Sequence, residues 1–191
     1  MISDNNPDSV PDWVKNSKYP STPPTPEEWG RAFPNLIFVD KEKLARDQKW
    51  HDRWFKRAEE VSTWSKDPST KVGAVFVNEE KHRELSAGYN GFPRGIKDDD
   101  RLNNREIKYK LVVHAEMNGI FNAVNNGVTL DGCSLYVWGL PICSECAKGI
   151  IQVGVKKIYV KKQFVDNERW KESWKLTQQI FSEAEIKVIV I

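Results

Sequence analysis

Two short blocks constrain this chain more than anything else in it: His114-Ala115-Glu116 and Cys143-Ser144-Glu145-Cys146. Each stands where an extended run gives way to helical periodicity. Cysteines three apart at a helix start can aim both sulfurs at one ion, and His114 from a second helix supplies a third donor. Three protein donors leave the fourth tetrahedral position open, which distinguishes a catalytic zinc from a structural one. An open zinc lowers the pKa of a bound water to about 7. Glu116 lies two residues past His114, near the metal but turned away around the helix, which suits a residue that moves protons. The fold must therefore bring two helix N-termini together, and their positive ends favour thiolates.

Other readings of each block are weaker. A lone H-x-E is common surface chemistry, and a lone C-x-x-C is compatible with a thioredoxin-like redox pair. Joint occurrence, in this order and at helix starts, favours the metal. Cys133, at a strand start, reads as a small buried residue rather than a ligand. Three cysteines, an odd number, do not make a disulfide framework.

Composition narrows the setting. Apolar residues make up 39% of the 191 and charged residues 29%, so a soluble globular protein is expected. The longest apolar runs are strand-length, short of the ~20 residues that span a bilayer. The polar, acidic N-terminus does not resemble a secretory signal, so a cytoplasmic location is expected and no membrane partner. Lys and Arg number 29 against 27 acidic residues, a net +2 that gives no broad basic surface for nucleic acid.

Residues 1–39, rich in proline (Pro7, Pro11, Pro20, Pro23, Pro24, Pro26, Pro34), read as an extended arm with Trp13, Trp29 and Phe33 as docking points. Residues 40–191 read as the catalytic domain. Asp40 to Trp64 is helical, with Leu44, Trp50, Trp54, Phe55, Ala58 and Val61 in one stripe and Asp40 as N-cap. Val72–Val77 and about Glu84–Tyr89 form a hairpin. A loop through Gly95 and a charged segment to about Lys108 follow. Helices from His114 and Cys143 alternate with strands Cys133–Trp138 and Lys157–Val160, and a helix around Glu168–Phe181 precedes strand Ile186–Val190. Strand–helix alternation implies an α/β domain with helices on both faces. Trp50, Trp54, Trp64, Trp170 and Trp174 fall in expected helices, where burial is their expected fate.

The blocks Ser65-Lys66-Asp67-Pro68-Ser69-Thr70-Lys71-Val72-Gly73-Ala74, Gly88-Tyr89-Asn90-Gly91-Phe92-Pro93-Arg94-Gly95, His114-Ala115-Glu116-Met117-Asn118 and Cys143-Ser144-Glu145-Cys146-Ala147-Lys148 together resemble the deoxycytidylate deaminases. H-x-E with a later C-x-x-C is the pattern of zinc deaminases generally. The resemblance implies a three-layer α/β/α fold on a five-stranded mixed sheet. It also implies hydrolysis of dCMP to dUMP, zinc on His114, Cys143 and Cys146, Glu116 as proton shuttle, and Ala115 against the substrate. It further implies a homohexamer, activation by dCTP and inhibition by dTTP with Mg2+, and an allosteric role for Tyr89, Asn90 and Gly91. For that loop a tight turn needing glycine is the plainer alternative.

The residues themselves place Ser65, Lys66, Ser69 and Thr70 as a cradle for a 5′-phosphate, and Asn78 as a deoxyribose contact. A simple turn is the competing reading for Lys66-Asp67-Pro68 and for Asn78. Two departures from the family stand out. Pro141 is separated from Cys143 by Ile142, where the usual pattern puts proline directly before the cysteine, which bears on substrate choice. Only His51 and His82 remain beside Cys133, so a second, structural zinc site is not expected. The alternatives are a nucleic-acid deaminase, acting on tRNA adenosine or DNA cytosine, and a deaminase of a 5-modified dCMP.

Overall fold

The computed structural model describes residues 36–38, 41–165 and 170–191. The expected N-cap Asp40 and the arm up to residue 35 lie outside the described residues. The described elements run β1 (Leu36–Phe38), α1 (Lys41–Thr63), β2 (Gly73–Asn78), β3 (Arg83–Tyr89), a 3-10 turn (Asp100–Leu102) and α2 (Arg105–Leu111). They continue α3 (Ala115–Asn125), β4 (Ser134–Trp138), α4 (Ser144–Gln152), β5 (Lys157–Val160), α5 (Lys162–Val165), α6 (Lys171–Glu183) and β6 (Lys187–Val190).

The sheet order is β1-β6-β5-β4-β2-β3. β2 pairs antiparallel with β3 and β4, while β4, β5, β6 and β1 run parallel to one another. The expected five-stranded mixed sheet is therefore β2 to β6, and Leu36–Phe38 extends it by one strand alongside β6. Those three residues were assigned to the arm on sequence; a strand so short carries no periodicity of its own and exists because β6 offers an open edge.

Alternation along β2 explains the layers. Ala74 and Phe76 turn to one face, Val75 and Val77 to the other, and all four are buried. On the second face α1 lays Phe55, Ala58 and Val61 against Val75, Val77, Tyr136 and Tyr159. On the first, α3, α4 and α6 bring Ile120, Ile150, Trp174 and Phe181 against Phe76, Leu135 and Ile158. The result is an α/β/α sandwich. Gly88 sets how closely α3 approaches β3, since a Cβ there would meet the backbone of Ala115 and Gly119. That close approach holds the first turn of α3 against the sheet.

Two expectations need correction. The charged segment to about Lys108 runs into α2, whose start Asn104 caps by accepting from Glu106 N and Ile107 N. Seven residues of charged sequence hide a helix because their pattern is too short to read, although the cap was legible. The tryptophans also divide: Trp174 is 3% exposed, but Trp64 lies beyond the end of α1 and is 47% exposed.

Candidate active site

β4 ends at Trp138, and Gly139, with φ +109, turns the chain into Leu140-Pro141-Ile142-Cys143. Ligands in open α/β sheets bind beyond the carboxyl ends of such strands, and here the N-termini of α3 and α4 converge. His114 is the N-cap of α3, in extended conformation, and its ring makes no capping bond. Cys143 is the N-cap of α4, its Sγ accepting from Cys146 N at 3.5 Å. His114 Nδ1 stands 3.3 Å from both Cys143 Sγ and Cys146 Sγ. Ligand atoms around a tetrahedral zinc with Zn–N and Zn–S bonds of ordinary length lie about 3.5–3.8 Å apart. The three side chains therefore fit zinc with small adjustment, and among the described residues they are the single such His/Cys/Asp/Glu group.

The hydrogen bond with Cys146 holds the Cys143 thiol down to about 4, helped by His114. The same bond, with burial, pushes Cys146 up. Cys133 is 3% exposed and outside the cluster, its thiol pushed up to about 12 by burial, which leaves it inert. Glu116 is 4% exposed and lines the same pocket as His114 and Cys143. Burial raises its carboxyl above the usual range, with His114 opposing.

The pocket above this cluster corrects the substrate cradle expected from sequence. Ala115 and Thr70 line it. Lys66 does not: it is exposed, its Nζ paired with Asp98 at 2.8 Å. Ser69 stands behind the wall, donating to Asp67 Oδ1 and accepting from Lys108 Nζ at 2.7 Å. Asn78 ends β2 opposite Arg83, at the far end from Gly73, about 16 Å along the strand. Its Oδ1 accepts from Lys81 N at 2.9 Å, which makes it a turn residue outside the pocket lining.

Lys108 is the cation that sequence reasoning passed over. It is 7% exposed, lines the pocket and donates to Asp67 Oδ1 at 3.0 Å. Asp67 is 4% exposed and also accepts from Ser69 N and Thr70 N. Burial pushes its carboxyl up, yet these bonds outweigh it and hold Asp67 below the usual carboxylate range. Nothing in a run of charged residues marks one lysine as the inward one. Asn90, expected in an allosteric loop, is buried and lines the pocket, accepting from Val72 N and donating to Thr70 O. Tyr89 is exposed, edge-on to Trp64. Gly91 bridges Val113, next to His114, with no positive φ; the loop's demand for glycine falls on Gly95, at φ +80. Tyr109 and Trp170 also line the pocket.

Residues 48–162 match the family profile described as the cytidine and deoxycytidylate deaminase zinc-binding region. The chain is 44% identical over 142 residues to an uncharacterized deaminase of the luxG 3′ region of Aliivibrio fischeri, covering 73% of this chain and 92% of that one. It is 44% identical over 111 residues to the deoxycytidylate deaminase of Mus musculus, covering 54% of this chain and 60% of the mouse enzyme. The dCMP deaminase of cyanophage S-TIM5, solved with dCMP and dUMP, superposes with a TM-score of 0.58 at 26% identity, over 80% of this chain and 99% of the phage protein.

Proposed function

The chain belongs to the family of cytidine and deoxycytidylate deaminases that share a zinc-binding region, and on that footing we propose that it hydrolyses dCMP to dUMP and ammonia. The observation that carries the reading is the His114, Cys143 and Cys146 cluster, with His114, Cys143 and the buried Glu116 lining one pocket. The names of the mouse and cyanophage relatives support the substrate.

Zinc held by His114 Nδ1, Cys143 Sγ and Cys146 Sγ would supply the Lewis acidity that activates a water near neutral pH. Glu116 takes the proton of the attacking water and passes it to the ring nitrogen N3 as the oxygen bonds to C4. It then takes the remaining proton of the new C4 hydroxyl and delivers it to the exocyclic amine, the C4–N bond breaks as the C4 carbonyl forms, and ammonia leaves. Its burial keeps bulk water from competing for that proton.

The 5′-phosphate is assigned to Lys108 and Thr70. An ammonium has three N–H donors, and Asp67 and Ser69 occupy two of Lys108's. The third is directed to the phosphate. Asp67 balances the charge, so Lys108 acts as an oriented donor more than as an electrostatic lure. Activation by dCTP, inhibition by dTTP with Mg2+ and a hexameric assembly extend the proposal by resemblance, with Tyr89 and Gly91 as effector-loop residues and Asn90 joining that loop to the pocket.

An oligonucleotide is the competing substrate, favoured by Tyr109 and Trp170 in the pocket wall, since aromatic faces stack unpaired bases. Ammonia release from dCMP, 5-methyl-dCMP, deoxycytidine, dCTP and single-stranded DNA separates the two. Turnover of dCMP with a kcat/KM about 10²-fold or more above that of deoxycytidine is expected, since phosphate contacts contribute binding energy. Turnover of the oligonucleotide with none of dCMP contradicts the proposal.

A further inference from the structure

α6 presents one face inward: Trp170 and Ser173 at its start line the pocket, while Trp174, Thr177 and Phe181 are buried at 3%, 0% and 0% exposure. Four of these are hydrophobic or wall residues, and Thr177 fits neither purpose. A β-branched hydroxyl residue is a poor helix former, and inside a helix it normally returns its hydroxyl to a carbonyl of the preceding turn. Thr177 instead donates Oγ1 across to the carbonyl of Ile142 at 2.9 Å.

Ile142 is the residue interposed between Pro141 and Cys143. Its side chain is 1% exposed, and the bond from Thr177 is itself buried. A carbonyl turned into the core requires a donor. The peptide that carries it is the one joining Ile142 to Cys143, so fixing that oxygen fixes the plane from which Cys143 starts. Cys143 must hold φ −83° and ψ 160° to cap α4 while its sulfur stays 3.3 Å from His114 Nδ1. Gly139 and Pro141 shape the approach from β4, and Thr177 ties the backbone at the end of the loop to the neighbouring helix α6.

We propose that Thr177 is a positioning residue for the metal loop, setting the orientation of Cys143 through the Ile142 carbonyl. The inference rests on the zinc reading above. It makes α6 both a wall of the substrate pocket and the strut of the metal site, so Ile142 stands between Pro141 and Cys143 without displacing the sulfur.

The test is zinc affinity of the full chain, measured by competition with a chromogenic chelator, for Thr177→Val, Thr177→Ser and Phe181→Leu. The valine variant, which keeps the shape and loses the donor, is expected to bind zinc about tenfold more weakly, as outer hydrogen bonds of metal sites do when removed. Serine restores the donor and is expected within about threefold of the wild type. Phe181→Leu, on the same buried face, is expected to lower the melting temperature and leave zinc affinity unchanged. Equal affinity in the valine variant and the wild type overturns the inference. So does weakening of the same size in Phe181→Leu, because the loss would then follow from general loosening of α6. If the valine variant does not fold, Thr177→Ala carries the same comparison against serine. A wild-type chain that takes up no zinc overturns the functional reading as well, whereas zinc uptake with an indifferent Thr177 overturns this inference alone.

Discussion

Cys143→Ala is expected to yield a folded chain that retains no zinc through purification and has no measurable dCMP turnover. The cluster has three protein donors, so losing one leaves two, too few to hold the ion against buffer and chelators. The effect on the fold is expected to be small by comparison. Phe76, Leu135, Val137 and Ile150 are fully buried in a core against which Cys143 packs only as a partly buried edge residue. What the alanine removes besides the ligand is the acceptor for Cys146 N, a weak cap at 3.5 Å, costing about 1 kcal/mol or less. Elemental analysis beside a thermal melt distinguishes the outcomes. Zinc retained at one equivalent in the variant would remove Cys143 from the ligand set.

Glu116→Gln is expected to keep its zinc and lose turnover by about 10²–10⁴-fold, the size of a general acid–base contribution. Glutamine has the shape of glutamate but cannot carry the proton from water to the ring and on to the amine. Stability is expected to move the other way in the metal-free protein. Burial raises the Glu116 carboxyl in the folded state. The carboxyl then contributes stability below its ordinary, unfolded pKa, and that contribution is lost as pH rises towards the folded value. The glutamine variant, which has no charge to bury, should therefore be no less stable than the wild type at neutral pH. Single-turnover kinetics on zinc-loaded samples measures the first effect, and an undiminished single-turnover rate would exclude the shuttle.

The parts of the site that were legible in the sequence are those in which spacing alone determines geometry. His114 with Glu116, and Cys143 with Cys146, are local patterns at helix starts, and the structure gathers them because α3 and α4 begin at the same end of the sheet. The hairpin and the parallel strands were legible for the same reason, through alternation and length. The pocket wall was not, because it depends on which of several chemically similar residues turns inward. Lys66 and Lys108 are both lysines in polar surroundings, and only the packing of α2 over the Ser65–Thr70 turn buries one and leaves the other to Asp98. Asn78 and Asn90 likewise differ in placement rather than type. The bond from Thr177 to Ile142 joins residues far apart in the chain, and neither carries a mark of the other.

The central claim is a metal centre with two sulfurs, one imidazole and one position left open for the reacting water. X-ray absorption at the zinc edge of the purified full chain tests it directly. The expected result is two sulfurs at about 2.3 Å and two nitrogen or oxygen atoms at about 2.0–2.1 Å, one of them exchangeable. A third sulfur, which would have to come from Cys133, or a fully protein-ligated shell with no exchangeable position, would contradict it.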